Sequence, residues 1–196
     1  MKKFAAVLLA GGQSARMGTS KALLDHDGTP LWLFQMKKLV QLHPDQLFFS
    51  ARPESKFPAG PWAFVHDRSP DRGPLGGLEA AMRLTRSDFL IALAVDMPAM
   101  TAEFLSFLLE KAGPAGVVPY LDGFYHGASA IYPVRMLPLV EQVLAGEDRS
   151  FQHLILEALR SGMMKAHEID GAASGLFENW NSPRDLKNAS DLFYRG

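Results

Sequence analysis

Residues Phe89–Val95, F-L-I-A-L-A-V, form an unbroken apolar run with an aspartate on either side, Asp88 and Asp96. The run is far short of the roughly 20 residues a membrane helix needs, and it lacks the polar alternation of a strand with one wet face. It reads as a strand covered on both sides, which is the situation of a parallel sheet between two layers of helices. Such a strand obliges the rest of the chain to supply helices for both faces. A chain of 196 residues, 47% hydrophobic and 21% charged, has the size and the mix to do so.

The rest of the sequence alternates accordingly. Phe4–Leu9 reads as a first strand, and Thr29-Pro30 as an N-cap and first helical residue opening a helix over Pro30–Leu42. Gln46–Ser50 and Ala63–His66 are short strands, and Gly76–Leu84 is a second helix. A helix runs from Thr101 until Gly113-Pro114 stops it. Asp122-Gly123 is a hairpin-turn pair, so Gly116–Leu121 and Phe124–Tyr132 should add antiparallel strands. Helices over Val134–Leu144 and Phe151–Arg160, the latter capped by Ser150, precede a strand at Met164–Ile169. Ser182-Pro183-Arg184-Asp185 has the cap, proline and early acid of a last helix. The expected fold is α/β, one Rossmann-like domain over residues 1–196 with a mostly parallel, mixed sheet flanked by helices.

Charge and cysteine content remove several functions. With 20 basic and 21 acidic residues the formal net charge is −1, which argues against holding nucleic acid by general electrostatics. The absence of cysteine excludes disulfides, thiolate metal sites and cysteine nucleophiles. Met1-Lys2-Lys3 ahead of Phe4–Ala10 resembles a short secretion signal, but the apolar stretch is at the bottom of the usual range and no small-residue cleavage site follows. The strand reading uses the same residues better, and the expected setting is cytoplasmic, without a membrane partner.

Directly after the first strand the chain reads L-A-G-G-Q-S-A-R-M-G-T-S-K, Leu9 to Lys21. Open α/β sheets bind ligands at that edge. The glycines let backbone N–H groups turn toward anionic oxygens, and Arg16 and Lys21 supply charge. The spacing of Gly11, Gly12 and Gly18 fits neither the dinucleotide fingerprint nor a P-loop. On glycine content alone, a plain turn with two solvated cations explains the stretch as well as a phosphate-binding loop does.

The full string L-A-G-G-x-S-x-R-M-G-x-x-K resembles the signature of nucleoside-triphosphate-dependent nucleotidyltransferases, and within them the molybdenum cofactor guanylyltransferases. The resemblance implies the nucleotide-diphospho-sugar transferase type of fold. It also implies transfer of GMP from GTP to molybdopterin, with molybdoenzyme-maturation proteins as protein partners. On that pattern the backbone of Leu9, Ala10, Gly11 and Gly12 meets the nucleotide, Lys21 meets phosphate, and Arg16 faces the phosphates beside it.

Further stations follow in the family's order. H-D-R-S-P-D-R-G-P-L-G-G-L places Asp67 at a nucleotide-contacting position, although a surface loop would have the same composition. A-V-D-M-P ends the apolar strand with Asp96, which matches the family's metal-binding aspartate. One carboxylate suits Mg²⁺, which usually takes one or two carboxylates plus phosphate oxygens; a turn or capping aspartate is the plain alternative. E-N-W-N-S-P-R-D-L offers Asn179 and Asn181 to the molybdopterin side, or simply as turn formers. His126, in Y-H-G-A-S-A-I-Y-P, matches a region facing the second substrate, although a lone histidine is more often structural. Ser50 stands where the bacterial guanylyltransferases carry an asparagine that contacts the nucleotide, so its contact to base or ribose differs in kind. The catalytic set implied is Lys21, Arg16 and Asp96 with Mg²⁺. The alternatives are CTP in place of GTP, a sugar 1-phosphate acceptor, or a nucleotide-binding regulator without catalysis.

Overall fold

The computed structural model describes residues 2–11, 21–53, 55, 57–66 and 73–180. Gly12, Arg16, Asp67, Asn181 and the helix expected at Ser182 lie outside them.

Strand β1 (Phe4–Leu9) is central, and the alternation of its side chains builds both halves of the core. Ala5, Val7 and Leu9 point to one face, and Ala6 and Leu8 to the other. On one side β1 pairs in parallel with β4 (Gln46–Ser50), and β4 with β5 (Ala63–Val65). On the other it pairs in parallel with β6 (Phe89–Ala94). The first face is covered by α2 (Gly73–Leu84), α4 (Leu137–Ala145) and α5 (Phe151–Arg160), through Leu75, Leu78, Val140, Leu154 and their neighbours. The second is covered by α1 (Leu31–Gln41) and α3 (Ala102–Lys111), through Leu31, Met36, Leu39, Leu105 and Leu108. β6 is thus dry on both faces, as its composition requires.

Beyond β6 the sheet turns mixed. Its order is β10-β7-β9-β6-β1-β4-β5, with β7 at Gly116–Leu121, β9 at Ile131–Pro133 and β10 at Met164–Glu168. β9 runs antiparallel to both neighbours, while β10 is parallel to β7. The mostly parallel α/β sheet is therefore present, with its helices on both sides.

At two turns the expectation needs correction. Thr29 does not cap α1. Asp27 and Gly28, at φ 50° and 78°, form a tight turn that pairs β2 (Asp25–His26) with β3 (Thr29–Pro30). The D-G turn signal takes Thr29 into a hairpin, and the N–H of Leu31 donates to the Leu24 carbonyl instead. Phe124–Tyr132 is also not one strand. β8 (Phe124–Tyr125) pairs with β7 around the Asp122-Gly123 turn, and Gly127–Ser129 then form a 3₁₀ turn before β9. Gly127 lies against Phe151, where a Cβ would come within 2.9 Å of that ring's carbons, and Tyr132 donates its hydroxyl to the Gly127 carbonyl at 2.6 Å. Ser150 caps α5 as expected, accepting from the N–H of His153, and Thr101, where a helix was expected to start, caps α3 by accepting from the N–H of Phe104.

α2 begins at Gly73 rather than Gly76 and approaches the end of β4 closely. A Cβ on Gly77 would lie 2.1 Å from Ser50 Oγ and 2.8 Å from Ser50 Cβ. Gly77→Ala should therefore lower stability by about 1–3 kcal/mol through overpacking, read as a lower urea midpoint. Adding Ser50→Gly should restore part of it. An unchanged midpoint for Gly77→Ala would show that the helix is free to shift.

Candidate nucleotide-binding site

The register of the three central parallel strands aligns the site. Leu9 pairs with Ser50 on one side and with Ala94 on the other. The residues just beyond these strands, Ala10-Gly11, Ala51 and Asp96, consequently share the C-terminal edge of the sheet, where open α/β folds bind ligands. Backbone bonds tie the edge together: the Ala10 N–H donates to the Ser50 carbonyl at 2.9 Å, and the Val95 N–H to the Leu9 carbonyl at 3.1 Å. Leu9 is buried, whereas Ala10 and Gly11 are partly open, so the chain emerges from the core where the glycine loop begins.

Across this edge Lys21 Nζ donates to Asp96 Oδ2 at 3.0 Å, and the two side chains keep 23% and 26% of their surface exposed. The structure thus joins two residues from distant sequence motifs in one partly open ion pair. Ser50 sits differently. Its side chain is 3% exposed and lies under Gly77, near the place a Gly11 Cβ would occupy, 3.8 Å from Ser50 Oγ. It supports the floor of the edge. An asparagine there would have to find room that the α2 contact leaves to the smaller residue.

The C-terminal motif reaches the same point. The Trp180 N–H donates to the Asp96 carbonyl at 2.8 Å, and the Trp180 side chain is buried. Its ring meets His26 at 5.1 Å, and His26 meets Phe34 of α1 at 4.2 Å. Asn179 is exposed immediately beside it. His126 lies further along the sheet, its ring 4.4 Å from Phe177 and 5.3 Å from Phe124. Burial there pulls its pKa below the usual histidine value.

Sequence reasoning missed Gln35 and Lys38. Gln35 is fully buried, and its Nε2 donates to the carbonyls of Ala94 at 3.1 Å and Met97 at 2.8 Å. Lys38 Nζ donates to Gln35 Oε1 at 2.7 Å, to the Met100 carbonyl at 2.8 Å and to the Pro98 carbonyl. Burial pulls the Lys38 ammonium down to about 8, with Glu103 acting in the opposite direction. A signal was present: Gln35 stands four residues from both Leu31 and Leu39, on the apolar stripe of the helix. Trp180 gave a weaker one, as a large aromatic between two asparagines.

A family model described as the MobA-like NTP transferase domain matches residues 6–163. This chain belongs to that family. A probable molybdenum cofactor guanylyltransferase of Opitutus terrae is 31% identical over 186 residues, covering 92% of this chain and 92% of that protein. Among solved structures, molybdopterin-guanine dinucleotide biosynthesis protein A from Archaeoglobus fulgidus superposes with a TM-score of 0.73 at 23% identity, covering 98% of this chain and 100% of that one. 2-C-methyl-D-erythritol 4-phosphate cytidylyltransferase from Thermus thermophilus gives a TM-score of 0.71 at 15% identity, covering 99% and 100%. The MobA-like chain therefore shares its fold with proteins named for different nucleotides, and the fold alone does not choose the base.

Among the described residues no group of three histidine, aspartate or glutamate side chains converges as a metal site. Asp96 fits a different kind of metal. A single carboxylate at an open sheet edge, already holding a cation through Lys21, can take Mg²⁺ that brings phosphate oxygens and water as its other ligands. No described helix is long and apolar enough to cross a membrane.

Proposed function

We propose that this chain transfers GMP from GTP to molybdopterin and releases pyrophosphate, which makes it a molybdenum cofactor guanylyltransferase like the relatives it resembles. The observation that carries the reading is the Lys21–Asp96 pair at 3.0 Å. It brings the glycine-loop lysine and the carboxylate that closes the buried strand to one partly open edge, in a MobA-like chain.

In this reaction an oxygen of the acceptor's terminal phosphate attacks the α-phosphorus of GTP. One P–O bond forms, the bond from the α-phosphorus to the α–β bridging oxygen breaks, and pyrophosphate leaves with the electron pair. The acceptor is ionised at neutral pH, so the reaction requires no protein nucleophile, and catalysis is alignment and charge neutralisation. Lys21 meets the triphosphate oxygens, and Arg16 shares that role from the glycine loop. Asp96 would hold Mg²⁺, which supplies charge screening along the triphosphate when bound. Leu9, Ala10, Gly11, Gly12 and Asp67 are assigned to the nucleotide, and Asn179 and Asn181 to molybdopterin. The reading extends to the cytoplasm as the compartment, where nucleoside triphosphates are available, and to molybdoenzyme-maturation proteins as recipients of the product.

Base choice follows from Gly12. Glycine has no Cβ, so at this position it would spare room for a purine and allow backbone groups near the guanine edge, which offers an acceptor at O6 and donors at N1 and N2. With equal GTP and CTP and molybdopterin as acceptor, GTP should be consumed faster, by about 10–200-fold. Gly12→Ala should narrow that ratio. Faster use of CTP by the unmodified protein would replace this reading with the cytidylyl reaction.

Asp96→Asn keeps the shape of the side chain and removes its charge. It should leave the thermal midpoint near that of the unmodified protein and reduce turnover by about 100–1,000-fold, the usual range for one electrostatic contact to developing charge. Unmodified rates at limiting Mg²⁺ would remove Asp96 from the metal and phosphate role.

A further inference from the structure

We infer that Gln35 and Lys38 of α1 are positioning residues that set the Asp96 loop for nucleotidyl transfer; this rests on the reading of Asp96 as the carboxylate facing metal and phosphate. Between the end of β6 and the cap of α3 the chain runs from Val95 to Met100 without regular structure. The Val95 N–H donates to the Leu9 carbonyl and the Met100 N–H to the Met97 carbonyl, Pro98 has no N–H to donate, and several carbonyls of the segment are taken by α1. Gln35 holds those of Ala94 and Met97, on either side of Asp96, and Lys38 holds those of Pro98 and Met100. The Asp96 carbonyl is taken from the other direction by the Trp180 N–H.

The two α1 residues also brace each other. The Gln35 amide uses its nitrogen on the loop and its oxygen on Lys38. Lys38 Nζ sits 4.1 Å from the centroid of Phe34, and the ring of Phe34 leads through His26 to Trp180. The α1 contacts and the Trp180 contact are therefore joined behind Asp96. A polar pair on a core-facing helical stripe carries a desolvation penalty, and the lowered pKa of Lys38 reflects it. Packing alone would be served better by leucine or methionine. The pair supports a carboxylate one residue past the last backbone bond from this segment to β1, Val95 N–H to Leu9 carbonyl, and such support is what fixes a site within the tolerance its chemistry allows.

The test compares the unmodified chain with Lys38→Met, which keeps length and apolar volume but removes every donor, and with Lys38→Arg. Hydrogen exchange is read by mass spectrometry on peptides covering residues 95–101 and on those covering β1 and β6. Turnover is read with GTP, molybdopterin and graded Mg²⁺. For Lys38→Met, exchange in 95–101 should accelerate at least ~10-fold while β1 and β6 keep their rates, as expected of local rather than global opening. Turnover at saturating Mg²⁺ should fall ~10-fold or more, the Mg²⁺ concentration for half-maximal rate should rise, and the KM for GTP should stay within about twofold. Lys38→Arg should recover most of both losses. Unchanged exchange in 95–101, or acceleration spread equally through β1 and β6, would overturn the positioning role. Absence of any GTP-dependent transfer by the unmodified chain would instead overturn the proposed reaction, and the exchange result would still judge the clamp.

Discussion

A carboxylate at the end of a strand buried on both faces is the point on which this molecule turns. β6 cannot move without disturbing both halves of the core, so Asp96, two residues beyond it, starts from a rigid base. Its side chain meets Lys21 from the segment after β1, its carbonyl meets Trp180 from the C-terminal motif, and its flanking carbonyls meet Gln35 and Lys38 from α1. Segments far apart in sequence thus converge on one residue. Helices on both faces and parallel strands through the centre are what make that convergence possible, since they align the ends of β1, β4 and β6 along one edge.

The architecture was legible wherever one physical signal dominated. The apolar run at 89–95, the turn pair Asp122-Gly123, the helix start at Thr101 and the cap Ser150 each have a single strong local preference, and each appears in the structure. The errors arose where two signals competed. Thr29-Pro30 satisfies both a helix start and the far side of a hairpin, and the Asp27-Gly28 turn decides it. Phe124–Tyr132 is apolar enough for one strand, but the small residues Gly127-Ala128-Ser129 let the chain fold onto Phe151. Motif and position pointed to Lys21 and Asp96 as neighbours at the sheet edge, and the structure pairs them there. For Gln35 and Lys38 the only signal was a polar residue on the apolar stripe of α1; it did not name their partners, which are backbone carbonyls of a loop far away in sequence.

Chemistry and fold make different demands on this sheet. The fold is satisfied by volume and periodicity, and a protein named as a cytidylyltransferase shares it at 15% identity. On the proposed reading, selection among nucleotides falls to the segment that follows β1 and to the floor of the sheet edge. Ser50 belongs to that floor. Its small side chain matches the missing Cβ of Gly77, so helix packing and the choice of residue at the C-terminal edge of the sheet are coupled in this chain.

The central claim is that this edge moves a nucleotidyl group, and not a terminal phosphate, onto an acceptor. Following isotope from GTP labelled at the α-phosphate or at the γ-phosphate, with molybdopterin and Mg²⁺, tests it directly. The account predicts that α-label enters the molybdopterin product while γ-label leaves only in pyrophosphate. Transfer of γ-label to molybdopterin, or binding of GTP with no label transferred from either position, would contradict it.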